Sequence, residues 1–371
     1  MDVTTQAAGP KAAPATNRTS LQRLEMVRKV WAWVFLIILV AVFTIASRSI
    51  NDVNFLSPRS IQGILVYATQ ILLVGLGQTL VIITGGIDLS VGWTLGLAAV
   101  AAAMVMQALH QAGVAPVLTI VAGALAGMAV SLIPGFVNGW LVAKVKVPPF
   151  IGTLGMGGIV TGAAFLLSGG YPIAKQPPYL GQLGNGYLVY LWPGHGASFL
   201  SPPPDLAGDQ LRELVPLMPN VVVVTIIVMA LVWFILSQTQ FGRHVYAVGG
   251  NFEAAVRAGI PVRRTLILVY VLAGLMAGVA GMLWAARFTS GAPDAGETTT
   301  LTAVAAVVIG GASLFGGEGT IVGTVVGSLI IAIIQFGLVI LGIVPFWQYV
   351  AVGTVVILAV VVDQFGKTLG R

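Results

Sequence analysis

The chain contains no cysteine. Disulfides, thiolate metal sites and cysteine nucleophiles are excluded, and the redox compartment stays open. Charge is almost as scarce, with only 8% of residues Asp, Glu, Lys or Arg against 57% hydrophobic and a mean hydropathy of +0.97. A soluble domain is about one quarter charged, so this composition cannot cover a water-facing surface. It is that of an integral membrane protein. Catalytic equipment is missing as well. His110, His195 and His244 are scattered, with no HExxH and no carboxylate at ligand spacing, so no metal site is expected. No GxSxG occurs. Gly366-Lys367-Thr368 resembles the end of a phosphate-binding loop, but Val361 stands where that motif needs its first glycine.

What the chain has is apolar runs. Spans need about 20 apolar residues, and candidates fall at 30–47, 61–83, 93–113, 116–143, 150–168, 219–238, 265–287, 300–313, 320–342 and 346–363. The expected fold is all-α, a polytopic helical bundle of about ten spans. The eighth run is short, which predicts a broken or re-entrant helix. Residues 1–29 read as a disordered cytoplasmic tail and 30–371 as the membrane domain.

Charge placement orients the bundle. With both termini inside, the cytoplasmic face collects Lys144, Lys146, Arg243, Arg257, Arg263 and Arg264 besides the tail cations. Of the 18 Lys and Arg, only Arg48, Arg59, Lys175, Arg212 and Arg287 fall outside. The basic excess is thus a topology signal, and no nucleic-acid partner is expected. The proline-rich segment 169–220 is then an external loop, with a short interfacial helix expected over 206–217. The segment 238–264 is cytoplasmic.

Glycines recur every fourth residue at Gly123/Gly127, Gly274/Gly278 and Gly319/Gly323/Gly327. Such spacing lets helix backbones approach closely in lipid, and packing within the chain is the favoured reading over a subunit interface. Two glycine breaks stand out, one in each half: Gly85-Gly86 in GQTLVIITGGIDLSVG (77–92) and Gly310, Gly311, Gly316 and Gly317 in GGASLFGG (310–317). Interrupted segments in corresponding halves are a pointer to a transport pathway. Asp88 and Ser90 follow the first break, where capping of the next helix competes with a pathway role. Gln78, Asn138 and Gln335 are polar candidates within spans, for contacts to a substrate or to a neighbouring helix. Asp88, Glu318 and Asp363 sit near span ends rather than mid-span, so ion-coupled transport lacks its usual residues. A pathway without its own energy source points to a partner that supplies it.

The internal segment FGRHVYAVGGNFEAAVRAGIPVRR (241–264) offers a place for that partner. Asn251 suits an N-cap, 252–258 reads as helix, Gly259 suits the left-handed C′ position and Pro261 ends the run. A helix this short needs a docking surface to be stable.

These strings, with VYVLAGLMAGVAGMLWAARFTSGAPDAGE (269–297), AAVVIGGASLFGGEGTIVG (305–323) and VVILAVVVD (355–363), resemble the sugar-type ABC importer permeases, the ribose, xylose and galactose family. The resemblance runs from about residue 60 onward, apart from the external loop. It implies that Asn251, Glu253, Ala254, Ala255 and Gly259 form the coupling helix that enters a groove on an ATPase subunit. It also implies a second permease copy, a periplasmic or extracellular substrate-binding protein, and a bacterial inner-membrane location. ATP and Mg²⁺ would be bound by the ATPase subunits, with no cofactor in this chain. The implied cargo is a monosaccharide or polyol. Import of branched-chain amino acids or nucleosides is the runner-up, and an intramembrane enzyme or a channel a remote alternative.

Overall fold

The computed structural model describes residues 18–193, 196–203, 214–344 and 346–369. Among the described residues thirteen α-helices dominate. Helix α1 (Arg18–Asn51) precedes α2 (Pro58–Ile83), α3 (Val91–Gln111) and α4 (Pro116–Trp140), whose end loosens into a π-helical turn, Leu141–Val145. Next come α5 (Pro149–Ser168) and the short α6 (Pro178–Asn185). Further along the chain lie α7 (Asn220–Gln238), α8 (Gln240–Gly250) and α9 (Phe252–Arg257). The chain closes with α10 (Val262–Phe288), α11 (Thr299–Ile309), α12 (Ile321–Ile340) and α13 (Phe346–Leu369).

Among the described residues eight helices are long and apolar enough to cross a membrane. The molecule is a polytopic helical membrane protein. The run expected at 300–313 is a helix only over Thr299–Ile309, because Gly310 and Gly311 end it. Helix α1 reaches back to Arg18, into the stretch expected to be a disordered tail. The sequence TSLQRLEMVRKV carries no helix breaker, so the helical run continues upstream of its apolar part. The rest of that tail, residues 1–17, lies outside the described residues, as does the side chain of Asp363.

The core lies between α2, α3 and α10. Helix α10 packs on α2, α3 and α4, while α12 packs on α2, α11 and α1. The glycine repeats serve this packing within the chain. Gly274 and Gly278 admit Ser131 of α4, Gly127 faces the Ala98 carbonyl of α3, and Gly327 lies against the Ala306 carbonyl of α11. At these contacts backbone replaces side chain, since lipid gives no hydrophobic drive for helices to associate.

The 169–220 segment differs from expectation. It forms α6 and a three-stranded antiparallel sheet of β1 (Tyr187–Trp192), β2 (Gly196–Phe199) and β3 (Val215–Pro219), in the order β2-β1-β3. Val189 pairs with both Phe199 and Leu217. The helix expected over 206–217 is not formed at its C-terminal end, where Val215–Pro219 is strand, and residues 204–213 lie outside the described residues. Pro216 and Pro219 disfavour a helix there, and β1 supplies an edge for the extended chain. Asn220 fastens this layer to α6, its amide N–H donating to Gly186 O at 3.0 Å and its side chain to Gln182 O at 3.2 Å.

Candidate functional site

The first break is a tight turn between α2 and α3. Gly85 takes φ +82°, a left-handed conformation that favours glycine. Gly86 is required for a different reason, since a Cβ there would lie 2.6 Å from the Tyr270 hydroxyl. Four of the polar residues singled out in the sequence then meet. Asp88 is 1% exposed, and its Oδ1 accepts from the Ser90 amide at 2.9 Å and the Ser90 hydroxyl at 2.6 Å. The Asn138 amide donates to Ser90 Oγ at 2.9 Å and reaches Asp88 Oδ1 at 3.5 Å. Gln78 clamps the peptide of Asp88 from both sides, donating to its carbonyl and accepting from its N–H.

Of the two roles left open for Asp88 and Ser90, side-chain capping of α3 is not made by either. Asp88 accepts from the residue two positions on, an Asx turn. Ser90 occupies the N-cap position but makes no side-chain cap bond, because its hydroxyl is committed to Asp88 and Asn138. The free amide of Gly92 in the first turn is satisfied instead by Thr300 Oγ1 of α11, at 2.9 Å. The turn is held from a third side by Thr153, which accepts from the Leu89 amide at 3.0 Å. Burial pushes the Asp88 carboxyl above the ordinary carboxylate range, while the bonds from Ser90 and Asn138 pull it down.

The second break connects α11 to α12. Gly311, Gly316 and Gly317 have φ of +93°, +87° and +78°, whereas Gly310 keeps an ordinary φ of −68° and lies against Gly323. Thr320 then caps α12, accepting from the Gly323 amide at 3.0 Å. The two breaks touch, since the Gly317 amide donates to Ile83 O at 2.8 Å. Gln335, half-buried on α12, is not part of the Gln78–Asp88–Ser90–Asn138 cluster.

Beside the breaks lies the short helix α9. Asn251 caps it, with Oδ1 accepting from the Ala254 amide at 2.9 Å. Gly259 closes it at φ +76°, one residue past the C-cap Ala258. Ala255 is buried against the bundle, whereas Phe252, Glu253, Ala254 and Val256 are exposed. Glu253 and Arg257 pair at 3.4 Å on the surface, where such a pair adds little stability. A crevice of about 590 Å³ is lined by Phe252 and Val256 together with Gly85, Gly86, Lys146, Pro149, Arg263 and Tyr270.

Several residues at this site were not found from the sequence. Thr153 and Thr300 carry no local signal, since each acts on a segment far away in the chain. Tyr270, 1% exposed beside Gly86, was read only as part of a motif string. Arg287, assigned to the external side, lies apart from this site at the far end of α10, its guanidinium 5.4 Å from the centroids of both the Tyr67 and the Phe288 rings. Among the described residues no group of His, Asp and Glu is arranged to hold a metal ion.

A buried polar cluster at the first helix break, inside a bundle of apolar helices, is the site of a polytopic membrane protein. Residues 60–360 match the family described as branched-chain amino acid transport system / permease component. The chain is 37% identical over 352 residues to the fructose import permease protein of Rhizobium meliloti, covering 95% of this chain and 90% of the relative. It is 36% identical to the ribose import permease protein of Bacillus subtilis, over 85% of this chain and 88% of that one. To the galactose/methyl galactoside import permease protein of Escherichia coli K12 it is 32% identical, over 94% and 97%. No solved structure matches. The chain belongs to this permease family, and its relatives include the sugar-type import permeases that its motifs resemble. It is a transport subunit, not an enzyme.

Proposed function

We propose that this chain is the permease subunit of a bacterial ABC importer for a monosaccharide or polyol. Its place is the cytoplasmic membrane, with both termini and α9 on the cytoplasmic side. Partner ATPase subunits bind ATP and Mg²⁺ and dock on α9. A soluble binding protein delivers cargo to the outer face, and two permease copies enclose the pathway between them. Alternating access follows when ATP-driven closure of the ATPases displaces α9.

The observation that carries this reading is the capped, exposed α9 beside both glycine breaks. A six-residue helix is far below the length that is stable alone in water. Asn251 and Gly259 nevertheless fix both its ends, and its Phe252 and Val256 are left uncovered. That is what a docking helix requires. The sugar class rests on the relatives named for fructose, ribose and galactose import, and on the GGIDLSVG string.

The test is copurification of an ATPase with this chain, followed by uptake in proteoliposomes loaded with ATP and supplied with the binding protein. D-Ribose, D-fructose, D-galactose and myo-inositol serve as sugar-class probes and L-leucine as the contrast. Uptake of a sugar-class probe supports the assignment. Uptake of leucine alone favours the amino-acid reading that the family description suggests, and uptake without any ATPase indicates a channel.

A further inference from the structure

We propose that helix α8, through Tyr246 and Gly249, is the lever that carries motion of α9 to both glycine breaks, with Tyr246 a positioning residue for transport. This rests on the permease reading above.

Helix α8 ends at Gly250, one residue before the Asn251 cap of α9, so displacement of α9 pulls directly on it. At that end Gly85, the pair Gly249–Gly250 and the pair Gly316–Gly317 meet backbone to backbone. Gly249 lies so close to the Ile83 carbonyl that a Cβ has no room. A Cβ on Gly316 would lie 2.9 Å from Gly249 O and 3.1 Å from Gly85 N, and one on Gly317 3.1 Å from Gly250 Cα. The Gly317 amide closes the node on Ile83 O.

One turn back, the Tyr246 hydroxyl donates to Gly319 O at 2.7 Å. Helix α8 therefore holds the first break by contact and the second by a hydrogen bond. Its other face is seated by the buried Val245 and Val248. Backbone against backbone leaves no side-chain rotamer to absorb a displacement, and packed interiors compress little.

Helix α9 itself has one buried residue, Ala255. Phe252 and Val256 line a crevice together with Gly85, Gly86 and Tyr270. Were force to pass through that face it would first have to close the gap. Ala255 seats α9 in a buried cluster with Ala143, Val248, Val262 and Leu266, but the route to the two breaks that runs backbone to backbone passes through α8. The crevice gives α9 room to swing while α8 stays joined to both breaks.

The experiment uses the transporter assembled with cysteine-free ATPase subunits in proteoliposomes, with Phe315→Cys as reporter in the second break. Phe315 is exposed, and the parent chain has no cysteine. Labelling by a water-soluble maleimide is timed with and without ATP and vanadate. Trapping should change the rate in the reporter chain. Tyr246→Phe keeps the ring but loses the bond, and should shrink that change about fivefold, the equivalent of one neutral hydrogen bond. ATPase copurification and basal ATP hydrolysis should be unchanged. Gly249→Ala should abolish the response, and if it fails to insert, Tyr246→Phe alone decides. A full nucleotide response in Tyr246→Phe overturns the lever, as does a reporter chain whose labelling ignores trapping. Loss of ATPase assembly in Tyr246→Phe overturns it too, by showing a structural role. If the parent recruits no ATPase at all, the permease reading falls and the lever with it.

Discussion

The Asn138 side-chain amide donates to Ser90 Oγ at 2.9 Å, joining α4 to the turn that opens α3. The donated hydroxyl is itself bonded to Asp88, so one serine holds a buried carboxylate and a buried amide together. Ser90→Ala removes the link between them. Leaving buried polar atoms unpaired costs about 1–3 kcal/mol, and thermal unfolding in detergent should show a lowered midpoint.

Asp88→Asn should do less harm. Asparagine keeps the oxygen that accepts from Ser90, and it removes a carboxyl that burial disfavours in its charged form. The variant should assemble and retain impaired but measurable transport. The folded carboxyl titrates above its unfolded value, so folding takes up a proton. The Asp88 contribution to stability is fully present below the ordinary carboxylate value of 3.8 and is lost as pH rises through the raised folded value. Asparagine cannot titrate, so this slope should vanish from the unfolding profile. An unchanged slope would remove Asp88 as its source.

Gly259→Val isolates backbone conformation from packing. Its φ is +76°, and a Cβ there would meet nothing within 4 Å. An L-residue in this region costs about 1–2 kcal/mol, and a β-branched one is a poor fit. Insertion should be normal, while uptake falls and ATP hydrolysis loses its stimulation by loaded binding protein. Normal coupled uptake would separate Gly259 from coupling.

Topology can be read with single cysteines, because none needs removing first. Ser201→Cys, beside the sheet, should react with an impermeant maleimide added to intact spheroplasts. Ala258→Cys should react only after permeabilisation. Labelling of Ser201→Cys only from the cytoplasmic side would reverse the charge-based orientation.

Gly327→Leu tests the close approach of α12 to α11. A side chain there would collide with the Ala306 carbonyl. Overpacking costs about 1–3 kcal/mol where neighbours can move, and more is expected against backbone. The variant should accumulate poorly in the membrane, as judged by size-exclusion chromatography.

The membrane class and most helix positions were legible in the sequence because hydrophobicity is local and additive along a run. The cap at Asn251 and the stop at Gly259 were legible for the same reason, each acting on residues within one turn. The three-stranded sheet was not, since β1 finds β3 across a long loop and no strand pattern names its partner. Of the two roles left open for Asp88 and Ser90, side-chain capping of α3 is not formed, for a related reason. The rule sees the neighbouring helix but cannot see Asn138, which takes up the Ser90 hydroxyl from far along the chain.

The sequence by itself thus determined that the chain spans a membrane, that two glycine breaks interrupt it, and that a short capped helix follows Gly250. It also carried the family resemblance. Only the tertiary structure decided that Gln78, Asp88, Ser90 and Asn138 form one buried cluster that Gln335 does not join. It alone brought Gly85, Gly249 and Gly316 together. Glycine spacing shows that backbones can approach, whereas which backbones do so depends on how every helix packs.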